Sequence, residues 1–236
     1  MASSAPSSHP AIEDYAFISN CTTAALISRE GSIDWLCWPR FDSSACFAAL
    51  LGSTENGRWH IAPKQTAAVS RRYFEGTLIL ATRFEVSEGI AELIDFMPLE
   101  SGCCEIVRLI RGISGSVLMR SQLALRFEYG SAVPWVEVLE DGRIRAICGP
   151  EMAVLYPSVP HHGEDHSVAS EFTVSAGEVV SLVLRYYPSH HNVGEWPDGP
   201  SELAKTEAAW RAWSDRCTSA GALTDVLRQS LVVLKV

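Results

Sequence analysis

The sequence lacks the features that define several common classes of protein. None of its apolar runs reaches the roughly 18 consecutive residues that a membrane-spanning helix needs. Its 19 basic side chains form no cluster and are outnumbered by 28 acidic ones, which gives a net charge of −9. A protein that holds nucleic-acid phosphates needs clustered positive charge. We therefore predict a soluble, cytoplasmic protein with neither a nucleic-acid nor a membrane partner.

Short catalytic and metal-binding motifs are also missing. The chain has no Gly-x-Ser-x-Gly nucleophile elbow and no phosphate-binding glycine loop. Its cysteines are odd in number, scattered and without a CxxC pair, which argues against a disulfide framework and against a zinc site. We expect free thiols in a reducing compartment, and no bound metal or cofactor. The seven cysteines are Cys21, Cys37, Cys46, Cys103, Cys104, Cys148 and Cys217.

The sequence is instead rich in short apolar runs separated by glycine-centred turns. Between about residue 20 and residue 187 these runs alternate apolar and polar side chains, as in residues 83–86 and 122–127. Such strands predict a mainly β fold, a large antiparallel β-sandwich or a barrel. Five hairpins are predicted, from the runs 22–28 and 33–38, 77–86 and 90–97, 105–111 and 117–129, 135–139 and 144–148, and 167–174 and 179–187. Residues 44–51 are predicted to form a single helical turn capped by Ser43.

The pattern changes after residue 188. A polar loop over residues 189–200 precedes a stretch with helical spacing, in which Ser201 is the predicted N-cap of a helix to about residue 216. A second helix is predicted from residue 222 to the end of the chain. We therefore divide the chain into a disordered tail (1–10), a β-sandwich domain (11–188) and a C-terminal linker loop with helices (189–236).

Several motifs resemble one family of enzymes. The segment 31–43 reads Gly-Ser-Ile-Asp-Trp-Leu-Cys-Trp-Pro-Arg-Phe-Asp-Ser. Together with residues 12–18 and 23–28, it resembles the opening of bacterial glycoside hydrolase family 15 proteins, the glucoamylase-like and trehalase-like enzymes. The similarity returns along the chain to its end, at residues 47–52, 57–59, 71–73, 77–78, 94–98, 126–130, 133–135, 209–210, 228–231 and 234–235.

The resemblance implies a fixed architecture. Such proteins carry an N-terminal β-sandwich (a supersandwich), a helical linker and an (α/α)₆ barrel. The barrel holds two glutamates that cleave α-glucosidic bonds with inversion, and such a pair stands about 6.5–9.5 Å apart. We therefore expect a chain that stops within the first barrel helix, contains no catalytic residue and is inactive alone. Its expected partners are its own (α/α)₆ catalytic domain and a glucose-containing oligo- or disaccharide substrate.

The turn after the third apolar run is the candidate site. Trp38, Arg40, Phe41 and Asp42 place acidic and basic groups beside aromatic rings, a combination that suits sugars because rings stack on a pyranose while carboxylates accept its hydroxyls. We hypothesise that this loop reaches the mouth of the barrel and helps to shape the substrate entrance. The structural alternative is that the tryptophan lies in the core and that Arg40 pairs with Asp42 to brace the turn.

Three other groups are weighed in the same way. His161, His162 and His166 lie beside two acidic residues but lack helical metal-ligand spacing, so we predict an exposed polar loop, and the same for His190 and His191. Asp95 lies at a strand end, where we expect it to bond neighbouring backbone.

Two alternative functions are weighed against the enzyme-domain interpretation. One is a free-standing carbohydrate-binding β-sandwich module, in which exposed Trp35, Trp59 or Trp135 binds glucan. The other is an enzyme with an active site in the sandwich itself.

Overall fold

The computed structural model describes residues 10–99, 103–217 and 223–236, so the predicted tail lies almost wholly outside the described residues. Within these ranges the chain forms fifteen strands and two α-helices. The strands are β1 (Ala16–Ser19), β2 (Ala24–Ile27), β3 (Ser32–Cys37), β4 (Ala45–Phe47), β5 (Arg58–Pro63), β6 (Ala68–Tyr73), β7 (Leu80–Val86), β8 (Gly89–Phe96), β9 (Glu105–Ala124), β10 (Trp135–Val138), β11 (Ile144–Cys148), β12 (Glu151–Pro157), β13 (His162–Glu164), β14 (Ser167–Ser175) and β15 (Val179–Pro188). The helices are α1 (Gly199–Ser214) and α2 (Thr224–Lys235).

The strands form two antiparallel sheets that share β9. In the first sheet the order is β1-β2-β3-β5-β9-β14-β13, and β4 adds to β3. In the second sheet the order is β6-β7-β8-β9-β15-β12-β11-β10. The C-terminal half of β9 belongs to the first sheet and its N-terminal half to the second. The predicted antiparallel β-sandwich is thus confirmed.

Two apolar layers hold this architecture together. The main core lies between the sheets and takes inward side chains from both, among them Ile33, Trp59 and Leu93. A second core covers the outer face of the second sheet, where Ile94 and Leu109 meet Trp210 of α1 and Val232 of α2. Successive residues of a strand of the second sheet therefore point into opposite apolar layers. This is why the second sheet is apolar on both faces.

The hairpin predicted around residues 112–116 is wrong, because the chain continues there as one twenty-residue strand, β9. Gly112 and Gly115 lie within this strand and do not form a turn. A Cβ on Gly112 would lie 2.0 Å from the Ser175 carbonyl oxygen, so the glycine permits close backbone approach. Gly115 has φ +62° beside a register shift in the β8–β9 ladder, which marks a bulge. The bulge lies where β9 passes from one sheet to the other.

The segment after β9 shows a related difference. Strands near residues 167–174 and 179–187 are predicted correctly, as β14 and β15, but they do not pair with each other. β14 pairs with β13 and the C-terminal half of β9, whereas β15 pairs with β12 and the N-terminal half. The glycine turn between them therefore carries the chain from the first sheet to the second.

Asp95 forms a buried ion pair, so the expectation that it bonds neighbouring backbone is wrong. Asp95 and Arg108 are opposite each other on β8 and β9, both fully buried, with Arg108 Nε 2.7 Å from Asp95 Oδ1. The guanidinium also donates to the carbonyl oxygens of Trp59 on β5 (2.6 Å) and of Gly31 in the β2–β3 turn (2.7 Å), both on the side of the first sheet. Burial raises the pKa of Asp95, and the positive charge of Arg108 opposes that rise. The pair therefore links the two sheets across the core.

Both C-terminal helices form, with shifted beginnings. The N-cap of α1 is Asp198 rather than Ser201: the Asp198 carboxylate accepts a hydrogen bond from Ser201 N at 3.3 Å. Residue 222, the predicted start of the second helix, lies outside the described residues, and α2 is described from Thr224. Ser43 caps no helix, because residues 45–47 form β4 and only Ala49–Leu51 is a short 3₁₀ helix.

Candidate functional site

The predicted site residues divide into a buried anchor and an exposed tip. Trp38 is 1% exposed and packs against Tyr186, with ring centroids 6.1 Å apart. This burial favours the structural interpretation of the tryptophan, since its ring faces cannot stack on a sugar. Its indole Nε1 is buried and has no hydrogen-bond partner among the described residues. Trp38 therefore fixes the base of the turn.

The tip of the turn is exposed. Arg40 Nε lies 2.9 Å from Asp42 Oδ1, so the ion pair considered from the sequence is present. Hydrogen bonding to Arg40 lowers the pKa of Asp42, which keeps the carboxylate charged. Phe41 is 50% exposed, and its backbone N–H donates to the Thr22 carbonyl at 3.0 Å. The tip thus presents an aromatic ring between two opposite charges.

A second loop lies beside this turn. Ser44 Oγ donates to Glu128 Oε1 at 3.4 Å, which joins the turn to the 3₁₀ helix Glu128–Gly130. Glu128 and Tyr129 both have positive φ, at 52° and 58°, a conformation that non-glycine residues adopt at a cost. Tyr129 is 49% exposed, and its ring packs against that of Trp35 with the ring centroids 6.2 Å apart. A strained, exposed tyrosine therefore flanks the predicted site.

Two further side chains complete this surface. Burial raises the pKa of Glu151, and electrostatic repulsion from the negative charge of Glu128 raises it further. Burial and the charge of Glu151 also raise the pKa of Tyr186. We call the set of Arg40, Phe41, Asp42, Glu128, Tyr129, Glu151 and Tyr186, anchored by Trp38, the loop surface. It offers carboxylates that can accept hydrogen bonds from hydroxyls, the guanidinium of Arg40 as a donor, and the accessible rings of Phe41 and Tyr129.

Sequence reasoning finds one half of the loop surface and misses the other. The segment 126–130 carries part of the family resemblance, yet nothing in it marks Glu128 and Tyr129 as site residues. A Phe-Glu-Tyr-Gly sequence is typical of the end of a strand, and the left-handed conformation depends on neighbours. One neighbour is Cys46, whose carbonyl accepts from Arg126 N at 3.2 Å.

The histidine groups match the predicted exposed polar loops only in part. His161 is partly buried, with its Nε2 shielded from solvent, and residues 162–164 form strand β13 instead of a loop. His162 and Glu164 lie on the short exposed strand β13, and Glu164 forms an ion pair with Arg120. Within the described ranges, no cluster of three or more histidine, cysteine or acidic side chains could hold a metal ion. The structure joins no two of the described cysteines in a disulfide. His190 and His191 are both exposed.

The three tryptophans considered as glucan binders differ in exposure. Trp59 is fully buried and donates from Nε1 to Ser121 Oγ at 3.2 Å, so it is excluded as a binding platform. Trp35 is partly buried beneath Tyr129. Trp135, on the edge strand β10, is 76% exposed. No helix within the described part of the chain is long and apolar enough to cross a membrane.

Fold and site together define a two-sheet β-sandwich domain with C-terminal helices and an aromatic, acidic loop surface at one end. Residues 5–207 match the family model described as trehalase-like, N-terminal. Because the match covers most of the chain, the chain belongs to the family of trehalase-like N-terminal domains. The resemblance to the N-terminal domain of glycoside hydrolase family 15 proteins is thereby confirmed.

Two curated relatives of the chain are trehalases. The chain is 42% identical over 236 residues to a trehalase of Mycolicibacterium smegmatis, an alignment that covers 86% of the chain and 34% of the relative. It is 29% identical over 238 residues to a trehalase of Thermoplasma volcanium, covering 97% and 38%. The chain thus spans about a third of the length of these relatives. A putative kojibiose phosphorylase from the human microbiome aligns with a TM-score of 0.37 at 8% identity, over 93% of the chain and 31% of that structure.

Proposed function

We propose that this chain is the non-catalytic N-terminal domain of a glycoside hydrolase that cleaves α-glucosidic bonds. Trehalose, or a glucan of the kind that glucoamylases cleave, would be its substrate. The observation that carries the proposal is the family match over residues 5–207, together with trehalase relatives about three times as long as the chain. The catalytic glutamates would then belong to an (α/α)₆ barrel. Seven cysteines without a disulfide among the described residues favour a reducing, cytoplasmic compartment for the enzyme.

Within that protein, the domain would stabilise the barrel and complete its substrate entrance with the loop surface. Three properties of this surface support the role. Its charged pair Arg40–Asp42 and the ring of Phe41 project into solvent, while Trp38 holds the turn in place. Glu128 and Tyr129 hold a backbone conformation that costs free energy, a feature that concentrates at functional sites. Its chemistry suits sugar hydroxyls and pyranose faces.

A chimera tests the proposal directly. The matching segment of the M. smegmatis trehalase would be replaced by this chain, and hydrolysis of trehalose measured with and without Arg40→Ala or Asp42→Ala. We expect an active chimera whose kcat/KM falls about tenfold in either variant, a loss of about 1.4 kcal/mol of transition-state stabilisation. The chain alone should release no glucose from trehalose or maltose.

A matched ion pair supplies the control. Arg83 and Glu85 on β7 form an exposed pair with the same spacing, with Arg83 Nε 2.8 Å from Glu85 Oε1. Arg83→Ala in the chimera should leave kcat and KM unchanged. Unaltered kinetics in both loop variants would remove the entrance role, and glucose release by the isolated chain would remove the non-catalytic role.

The free-standing carbohydrate-binding module remains the second candidate function. The exposed ring of Trp135 favours it, because solvent-facing tryptophans are efficient stacking platforms for pyranose rings.

A further inference from the structure

A polar cleft of about 580 Å³ opens at the Ser32 end of β3. Three segments form its walls: the N-terminal stretch around Tyr15, the β2–β3 turn, and the 3₁₀ helix Thr54–Asn56 with the start of β5. Most of these residues belong to the segments that carry the family resemblance, yet the proposed function assigns them no task. The lining side chains that matter are Asp14, Tyr15, Arg29, Asp34, Thr54 and Arg58.

The floor of the cleft is a buried carboxylate. Asp34 is 7% exposed and lines the cleft. Its Oδ1 accepts a hydrogen bond from Ser32 Oγ at 2.5 Å, and its Oδ2 accepts one from Tyr15 Oη at 2.8 Å. Burial and the neighbouring Asp34 raise the pKa of Tyr15, so the phenol keeps its proton and remains the donor. An ionised carboxylate has about four acceptor positions, so Asp34 can accept further hydrogen bonds from a ligand.

The rim of the cleft supplies donors. Arg29 uses its Nε to bind Asp14 Oδ1 at 3.0 Å, which leaves its terminal N–H groups available. Arg58 is half-buried and forms no ion pair with any described residue. Thr54 adds a hydroxyl at the mouth. The cleft thus combines a buried acceptor with guanidinium donors on its rim.

This balance selects a class of ligand. An anion would be attracted by Arg29 and Arg58 but repelled by Asp34 and Asp14. A cation would be attracted by the two carboxylates but repelled by the two arginines. A neutral polyhydroxylated molecule fits both sides, because each hydroxyl both donates and accepts a hydrogen bond. The volume lies in the range of small-molecule sites. We propose that this cleft binds a neutral sugar of one or two pyranose units, whose hydroxyls donate to Asp34 and accept from the two arginines.

This site goes beyond the proposed function, since it needs no catalytic domain, and binding is measured on the chain itself. Calorimetric titration with trehalose and with maltose should give a millimolar dissociation constant for at least one sugar, while inorganic phosphate as the anionic probe should give none. Arg58→Gln removes the guanidinium with its charge and its forked donors, and Thr54→Trp fills the mouth. Each should weaken sugar binding at least about tenfold.

Controls keep the outcomes separate. Thr54 is exposed, so Thr54→Trp should leave the circular dichroism spectrum and thermal midpoint unchanged. Arg83→Gln, a remote arginine change, should bind sugar like the parent chain. The proposal is overturned if neither sugar binds, if phosphate binds instead, or if both cleft variants bind normally. Loss of binding in Trp135→Ala alone would instead assign the sugar to the edge strand. The chimera measures turnover, so failure of the entrance role leaves this result unaffected.

Discussion

Gly31, the first residue of the segment that carries the strongest family resemblance, is constrained twice over. It lies in the β2–β3 turn with φ +81°, where side-chain-bearing residues are disfavoured. A Cβ there would lie 2.4 Å from the Ile61 carbonyl oxygen and 3.3 Å from Phe84 Cζ. Its own carbonyl accepts a hydrogen bond from the buried Arg108. Both the conformation and the available space therefore require glycine.

A matched glycine separates the two constraints. Gly142, in the β10–β11 turn, has φ +87°, but a Cβ added there would meet no described atom within 4 Å beyond its chain neighbours. We expect Gly142→Ala to lower the free energy of unfolding by about 1 kcal/mol, the cost of the left-handed conformation alone. Gly31→Ala adds a backbone clash and should cost about 3 kcal/mol or more. Urea denaturation measures both, and equal losses would contradict the steric argument.

At this scale the sequence predicts chemistry better than exposure. The Arg40–Asp42 pair follows from two charges two residues apart in a turn, and it is present. The burial of Trp38 does not follow, because it depends on Tyr186, which is distant in the chain. Asp95 could not be assigned for a similar reason: its partner Arg108 and the two carbonyls that share the guanidinium come from separate strands or turns.

At the scale of elements, α2 attaches to the sandwich by a narrow contact. Val232 is fully buried in the second core, and Gln229 Nε2 donates to the Thr77 carbonyl at 3.2 Å. Lys235 Nζ lies over the rings of Trp210 and Trp213, at 5.8 and 5.3 Å. The remaining large apolar side chains of this helix face solvent: Val226, Leu227, Leu231, Val233 and Leu234.

Two truncations on the same helix test this contact. Val232→Ala leaves a void in the second core and should lower the free energy of unfolding by about 2 kcal/mol. Leu234→Ala, at a position that is 80% exposed, should change it by no more than about 0.5 kcal/mol. Urea denaturation followed by tryptophan fluorescence reports both, since Trp210 lies in the same core. A negligible effect of Val232→Ala would show that α2 is not held by this contact.

The elements show where sequence patterns succeed. Alternation and a glycine turn correctly predict the β7–β8 and β10–β11 hairpins, because both strands and the turn are local. The same pattern fails around Gly112 and Gly115, where the glycines serve close packing and a bulge. Local sequence cannot distinguish a glycine that turns the chain from one that lets another strand approach.

At the scale of the whole molecule, the Asp95–Arg108 pair joins the sheets. Arg108→Met would leave a buried carboxylate without its cation and should lower the free energy of unfolding by about 3–5 kcal/mol. Arg83→Met, which breaks an exposed pair, should cost less than about 1 kcal/mol. The double variant Asp95→Leu with Arg108→Met should recover part of the loss, because no buried charge remains.

Chemical denaturation of the three variants tests this role. If Arg108→Met were no more destabilised than Arg83→Met, the pair would not hold the sheets together. If the double variant were as unstable as Arg108→Met, the loss would come instead from the carbonyls of Gly31 and Trp59, which both variants leave without the guanidinium.

The shared strand β9 also bears on how the polypeptide acquires its fold during synthesis. Each sheet takes strands from both sides of β9 in the chain: β5 and β14 flank it in the first sheet, β8 and β15 in the second. The first sheet lacks β14 until residue 175 has left the ribosome, and the second lacks β15 until residue 188 has. Until then the corresponding half of β9 presents an open edge to other nascent chains. The architecture thus favours late, concerted folding, which makes the nascent domain a natural client for chaperones.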